Sequence, residues 1–448
     1  MMNWIQLLSS DRIGKKSEIK ESFRSAFEQD YDRIIFSHPF RRLQDKTQVH
    51  PMPEYDFVHT RLTHSLEVSS VGRSLGKKVG EVLIDQYPEL AEKGFSSFDF
   101  GAIVAAASLA HDIGNPPFGH SGESAISDFF KHHPQGELFK KKLNKKQWED
   151  AVNFEGNAQG FRLMQQNQGL QLTYATLAAF TKYPRESKIN ERDKTKKSQK
   201  KYGFFQSEKE AFSQVAKEVG LLCASKEDLV WNRHPLAFLV EAADDICYQV
   251  IDLEDGCRLG LVGFDDTVDL FAKIIGKNFD REKLNKYSSN AEKIGILRAM
   301  AISKLVDQCV DVFLSNEKLM LNGTFDKALT GQIESSKVLD EIEKISISKI
   351  YQSRKVMEKE AAGFEVLPGL LESFSAAAYN YYFEKEACSR KHANLMRLLP
   401  EDIKSRMDSN QKEVYAILMA CIDFISGMTD SAAISLYRKI KGISLPEG

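Results

Sequence analysis

A chain of 448 residues, 42% apolar and 28% charged, is long enough to bury a large core and far from a disordered composition. Its formal net charge of −2 gives the chain as a whole no electrostatic case for a nucleic-acid or membrane protein, and it contains no run of about 18 apolar residues that would span a bilayer. The six cysteines, at positions 223, 247, 257, 309, 388 and 421, are scattered without a CxxC pair and are expected as reduced core thiols of a cytoplasmic protein.

The N-terminal MMNWIQLLSSDRIGKK lacks a basic leader and has only a short apolar stretch, so no signal peptide is expected. Apolar residues then recur at three-four spacing through most of the chain, which predicts a mainly α fold. TQVHPMPEYDFVHT (47–60) is the one candidate for a short hairpin, and Pro51 and Pro53 restrict it to a loop or edge strand. RLTHSLEVSSVG (61–72) places His64 in a helix whose Leu62, Leu66 and Val68 are expected to pack inward. A lone histidine there would usually be structural. FDFGAIVAAASLA (98–110) is a helix with small apolar side chains all round, hence buried. His111 and Asp112 follow at its end, and Gly114 with Pro116-Pro117 prevents continuation. Neighbouring helical residues point about 100° apart, so both can face one ion only where the chain turns out of the helix. A neutral imidazole with a carboxylate suits a first-row divalent metal. The alternative is a capping aspartate beside a satisfied core histidine.

Past the break, His120 and Glu123 stand at i, i+3 on a new helix after Gly119. The carboxylate is expected to hydrogen-bond the imidazole, fix its tautomer and raise its pKa. The alternative is a surface salt bridge at a helix start. KKKLNKKQWED (140–150) is polar and basic, and RESKINERDKTKKSQKK (185–201) carries eight basic and three acidic residues. A solvated, mobile loop is the favoured reading of that second run, over a contact with phosphate or single-stranded nucleic acid. In HPLAFLVEAADDICYQVIDLEDG (234–256), Pro235 suits a first helical position and Gly256 a stop. Asp244, Tyr248 and Asp252 share the face that carries Ala237 and Val240. Carboxylates on an inward face are costly unless paired or metal-bound. Asp245, about 100° round the helix, is expected to cap or salt-bridge. After about residue 260 the chain stays helical with a single histidine, His392. The expected organisation is a catalytic core with an N-terminal arm over 1–260 and a helical region over 261–448, forming one continuous globule.

The order His64, His111-Asp112, Asp244 resembles the HD superfamily of metal-dependent phosphohydrolases. FRRLQDKTQV (40–49), TRLTHSLEV (60–68), HDIGNPPFGHSGE (111–123), FEGNAQGFR (154–162), TKYPR (181–185), EAADDICYQVIDLED (241–255), GFEVLPGLLESF (363–374) and FISGMTDSAAISLYR (424–438) together resemble the bacterial deoxyguanosinetriphosphate triphosphohydrolases. The resemblance runs in order over nearly the whole chain. It implies an HD-type helical core elaborated by C-terminal helices, and hydrolysis of dGTP or other dNTPs to deoxynucleoside and inorganic tripolyphosphate by water attack on the α-phosphorus. It implies one divalent ion, Mn²⁺, Mg²⁺, Co²⁺, Ni²⁺ or Fe²⁺, on His64, His111, Asp112 and Asp244, with His120 and Glu123 as the acid pair that protonates the leaving oxygen.

By the same resemblance Arg61, Asn115, Lys182 and Tyr183 contact phosphate, and Gln48, Val49, Tyr248 and Asp252 hold the deoxyribose. Glu365 and Arg397 are the candidates for the base, against a plain surface role. Relatives of this kind are commonly tetramers or hexamers, and some are regulated by dNTPs at second sites, so a homo-oligomer and a dNTP or single-stranded DNA effector are the partners to test for. The competing readings are another HD phosphohydrolase, and a catalytically silent nucleotide sensor or single-stranded-DNA-binding regulator. Lys182-Tyr183 argues against a monophosphate substrate, and the intact histidines and acids argue against silence.

Overall fold

The frame of the site is set by how three helices start and how closely they approach. The computed structural model describes residues 1–16, 24–48, 59–166, 170–352 and 354–444. After α1 (Ala26–Ile35), the long α2 (Arg61–Gln86) begins at a reciprocal cap in which Thr60 and Thr63 each accept the other's backbone N–H through their hydroxyls. Thr47 and Thr60 form an isolated antiparallel bridge. The rest of the expected hairpin, residues 49–58, lies outside the described residues. The buried helix α3 (Ser97–Ala110) opens with the Asp99 carboxylate accepting the Ser96 N–H at 2.8 Å.

α2 packs along α3 through a stripe of Gly72, Gly76 and Gly80, four residues apart. A Cβ at Gly76 would lie 2.6 Å from the Phe100 carbonyl oxygen, so only glycine allows the approach. That contact brings His64 on α2 beside His111 at the end of α3. The chain then turns through 111–118 into α4 (Gly119–His132). A Cβ at Gly114 would sit 2.1 Å from the Gly156 carbonyl, so this turn rests directly on the first turn of α5 (Gly156–Gln166).

α6 (Tyr174–Phe180) leads to the basic run and to a two-stranded ribbon, β1 (Cys223–Ser225) and β2 (Val230–Trp231), the one sheet among the described residues. α7 (Pro235–Arg258) starts where expected, with Pro235 in its first turn. The His234 side chain caps it, accepting the Leu236 N–H at 3.1 Å while its other ring nitrogen donates to the Leu7 carbonyl at 3.1 Å. Gly256 does not stop the helix. It lies inside, where a Cβ would meet the Ile350 side chain at 2.6 Å, and the stop comes with Gly260 at φ +72°.

The C-terminal half is helical as expected: α8 (Phe264–Ile275), α9 (Asn290–Leu321), α10 (Arg354–Phe383), α11 (Arg390–Arg397), α12 (Val414–Ser426) and α13 (Asp430–Ile440). The apolar interior is in two parts. One joins α1, α2, α3 and α6–α9 around Leu75, Phe100, Phe212 and Phe271. The other joins α4 to α10 and α12 around Phe130, Leu367, Phe374 and Ile422. Thus α4, in the first half of the sequence, buries part of its apolar face against α10 in the second half and part against the segment that follows it, where Phe130 meets Phe139. In the 374–383 stretch, Phe374, Ala377, Ala378 and Tyr379 are buried, so it is core. All six cysteines are free thiols, three of them buried. Among the described residues no single helix is long and apolar enough to cross a membrane.

Candidate active site

One cavity of about 530 Å³ opens where α2, the 111–118 turn, α4 and α7 meet. His64, His111 and Asp244 each direct one ligand atom to a common point, all within 4.8 Å of one another. His64 Nε2 and His111 Nε2 lie 3.3 and 3.4 Å from Asp244 Oδ1, and His111 Nε2 lies 3.5 Å from Asp112 Oδ1. The dipeptide faces one point because His111 is the last residue held by α3 and the chain leaves the helix at Asp112. His111 Nδ1 donates to the Ser108 carbonyl at 2.7 Å. That bond fixes the tautomer and leaves the Nε2 lone pair facing the cluster.

The charges suit a cation. Burial alone would raise the Asp112 pKa, but the Arg61 guanidinium and the two imidazoles hold the carboxyl below its usual range. For Asp244, burial is likewise outweighed, by Lys182 and the same imidazoles. Burial lowers His111, whereas at His64 the Asp244 hydrogen bond overcomes burial and raises the pKa. Two imidazoles and two ionised carboxylates are a fitting donor set for a divalent ion. Asp245 lines the same cavity but accepts the Thr330 hydroxyl at 2.6 Å.

The four residues expected to contact phosphate all line this cavity. Three of them are engaged with the acids of the cluster: Arg61 donates to Asp112 Oδ2 at 2.7 Å, and Lys182 to Asp244 Oδ2 at 2.6 Å. Asn115 donates to Asp112 Oδ1 at 2.5 Å. Tyr183 is buried beside Lys182, and burial raises its phenol pKa. Gln48 and Tyr248 also line the cavity, and Gln48 Oε1 is buried with no hydrogen-bond partner among the described residues. Val49 lies outside the described residues. Asp252, expected to hold the sugar, is buried and is not among the residues that line the cavity. It takes the Tyr351 hydroxyl at 2.5 Å, and burial pushes its pKa up to about 7.

Two expectations are corrected. His120 and Glu123 do not pair. Glu123 turns away to accept the Gly156 N–H at 2.7 Å, with Lys201 3.6 Å from its other oxygen. The first turn of α5 offers a fixed backbone donor there, and the carboxylate takes it. His120 stands open to the cavity. Its pKa is lowered rather than raised, by burial and by the cations Lys201 and Arg61. Glu365 and Arg397 are exposed and do not line the cavity. α10 turns Val356, Lys359 and Glu360 toward it instead.

The 185–201 run is not simply a solvated loop. Arg185 is buried, donating to the carbonyls of Glu186, Ser187 and Gln199, and Ser198 and Gln199 are buried too. Lys200 and Lys201 line the cavity. Sequence reasoning missed these lysines because a charge run reads alike whether its ends return to a site or not. It also missed Tyr351, whose ring stacks on Tyr248 at 5.7 Å between centroids. A π-helical turn over Ser346–Tyr351 delivers that ring, and nothing in the spacing signals it.

Comparison with known proteins finds an HD domain over residues 61–169 and a phosphohydrolase-associated domain over 329–439. The chain is 44% identical to a deoxyguanosinetriphosphate triphosphohydrolase-like protein of Synechocystis sp. and 39% identical to one of Pseudomonas aeruginosa, each match covering 99% of this chain and 100% of the relative. It is 31% identical to a deoxyguanosinetriphosphate triphosphohydrolase of Salmonella schwarzengrund, over 99% of this chain and 98% of that protein.

Proposed function

The chain belongs to the deoxyguanosinetriphosphate triphosphohydrolase family of the HD superfamily, and from that premise we propose that it hydrolyses dGTP to deoxyguanosine and inorganic tripolyphosphate. The observation that carries this reading is the composition of one cavity: the His111, Asp112 and Asp244 cluster shares its walls with Arg61, Lys182, Lys200 and Lys201. A nucleoside triphosphate brings about four negative charges, and a cavity with that many cations beside a metal cluster matches such a chain.

In this reading a water oxygen bonds to the α-phosphorus while the bond from phosphorus to O5′ breaks, leaving tripolyphosphate and a deoxynucleoside alkoxide that must take up a proton. A divalent ion, Mn²⁺ or Mg²⁺ among the candidates, held by His64, His111, Asp112 and Asp244, would supply Lewis-acid stabilisation of the charge at the α-phosphate. His120, open to the cavity and free of internal hydrogen bonds among the described residues, gives the proton to O5′. Glu123 acts indirectly in this scheme, tying α4 to α5 through Gly156. Lys182 and Tyr183 bind the outer phosphates, and Arg61 and Asn115 hold Asp112 and meet the inner one. Gln48 offers its amide oxygen, without a partner among the described residues, to the sugar 3′-hydroxyl. The stacked Tyr248 and Tyr351 rings form a wall under the sugar that leaves a 2′-hydroxyl without a partner, at a cost of about 1–3 kcal/mol. Homo-oligomer assembly is part of the proposal, and exposed Phe36, Phe98 and Phe364 offer apolar surface for it.

The test is a phosphorus-NMR product assay with dGTP, the other dNTPs and GTP, in Mg²⁺ and in Mn²⁺. Tripolyphosphate with free deoxynucleoside is expected. Pyrophosphate or orthophosphate would refute attack at the α-phosphorus, and no turnover with any mixture would favour a nucleotide sensor.

A further inference from the structure

We propose that Asp430, in the otherwise unassigned FISGMTDSAAISLYR stretch, is a positioning residue that sets the turn carrying His120. The inference rests on the proton-donor role given to His120 above. Asp430 begins α13 and is almost completely buried. Its Oδ1 accepts the Phe118 N–H at 2.9 Å. Its Oδ2 accepts the Thr47 N–H at 3.1 Å, the Thr47 hydroxyl at 2.8 Å and the Lys359 ammonium. One carboxylate therefore joins the residue before Gln48, the residue two before His120, and α10.

Phe118 is where such a hold is needed. It has φ +64° and is followed by Gly119 at φ +59°, so two successive residues are left-handed immediately before His120. Glycine adopts that conformation freely, but for a bulky aromatic it is rare and unfavourable, and it persists only where the surroundings fix it. The fixing comes from two sides. Asp430 takes the Phe118 N–H, and the Phe118 ring packs on α10 at Gly363, where a Cβ would lie 3.0 Å from the ring. The same connection between α12 and α13 grips the neighbouring backbone: Lys46 Nζ bridges the carbonyls of Asn115 and Ser426 at 2.5 and 2.9 Å, and Arg42 donates to the Gly427 carbonyl at 2.9 Å. None of the metal ligands touches Asp430. Its loss should therefore move His120 and Gln48 and leave the metal cluster standing.

The experiment compares Asp430→Ala and Asp430→Asn with the parent in the full chain, reading kcat and KM for dGTP and bound Mn²⁺. Asp430→Ala is expected to keep the parental Mn²⁺ stoichiometry while kcat falls about 10²-fold, the scale of a misplaced catalytic group. Asp430→Asn keeps one acceptor oxygen for the Phe118 N–H and cannot accept from Thr47 and Lys359 as well, so its kcat should stay near parental while KM rises. Parental kinetics in both variants would overturn the proposal. So would loss of Mn²⁺ together with kcat, which a purely structural role predicts. Should Asp430→Ala not fold, the split between kcat and KM in Asp430→Asn decides. If the parent hydrolyses no dNTP, the reading of function fails and the positioning is judged by a crystal structure of the variant: Phe118 leaving positive φ supports it, and an unchanged turn refutes it.

Discussion

His120 faces a cavity in which burial and the cations Lys201 and Arg61 outweigh the acids Asp112 and Glu155, and that sets its behaviour with pH. In the free protein, burial, Lys201 and Arg61 hold the imidazolium pKa below the ordinary value of about 6.5. A triphosphate seated among those cations adds negative charge and raises the pKa again. The protonated form is the donor, so the rate should fall as pH rises, with the limb of kcat/KM at lower pH than the limb of kcat. A single limb shared by both would contradict the role. His120→Ala should keep its metal by elemental analysis and lose about 10²–10⁴-fold in turnover. Asp244→Ala should lose the metal, whereas Asp245→Ala should retain it, because Asp245 is committed to Thr330; the reverse result would shift the ligand by one position. The grouping of His64, His111 and Asp244 was legible because His-Asp at a helix break and an inward-facing aspartate on another helix are both unusual. The partner of Glu123 was not. Spacing says which side chains can be neighbours, and it does not say that the Gly156 N–H, distant in sequence, offers the better partner.

Among the elements, α7 shows what a helix start contributes. Its cap is His234, fully buried, with one ring nitrogen accepting from Leu236 and the other donating to Leu7, so the ring must be neutral in the fold. Burial lowers its pKa to about 4, against about 6.5 for a free imidazole. The folded state resists a proton that the unfolded chain accepts. This contribution is whole above pH 6.5 and is lost as pH falls toward 4, by about 3 kcal/mol in all. His234→Asn keeps a capping acceptor without the titration, and its melting temperature should vary less with pH between 6.5 and 4 than that of the parent. An unchanged pH dependence would place the acid sensitivity elsewhere. The helices were legible as periodic apolar runs with start signals such as Pro235. The register between α2 and α3 was less so: the LEVSSVGRSLGKKVGEVLI stretch shows glycines four apart, but only the structure reveals Phe100 and Ser108 as what they approach. The 185–201 run misled for a related reason, since composition gives its solvation but not that Arg185 and Gln199 are pinned inside.

At the scale of the whole molecule, the expected division near residue 260 does not coincide with the division of the core. α4 follows directly on the His-Asp turn, yet Ile126, Phe129 and Phe130 lie in the apolar cluster that α4 shares with α10, against which it packs, whereas α2, α3 and α7 carry the proposed metal ligands within the other apolar cluster. Sequence order could not reveal this, because an amphipathic helix advertises an apolar face without naming what covers it. The consequence is that the proposed proton donor and the proposed metal ligands are supported by different apolar clusters of the fold. A chain ending at residue 352 would lack α10–α13, leaving α4 with an exposed apolar face and the 115–118 turn without Ser426 and Asp430. In that chain the amides of α4 should lose their protection in hydrogen exchange while those of α2, α3 and α7 keep it, and turnover should vanish. Protection of α4 equal to that of the full chain would mean that its own half suffices. Joint loss across α2, α3 and α7 would mean that the two apolar clusters fold as one cooperative unit, and that the C-terminal helices hold the proposed metal ligands as firmly as they hold His120.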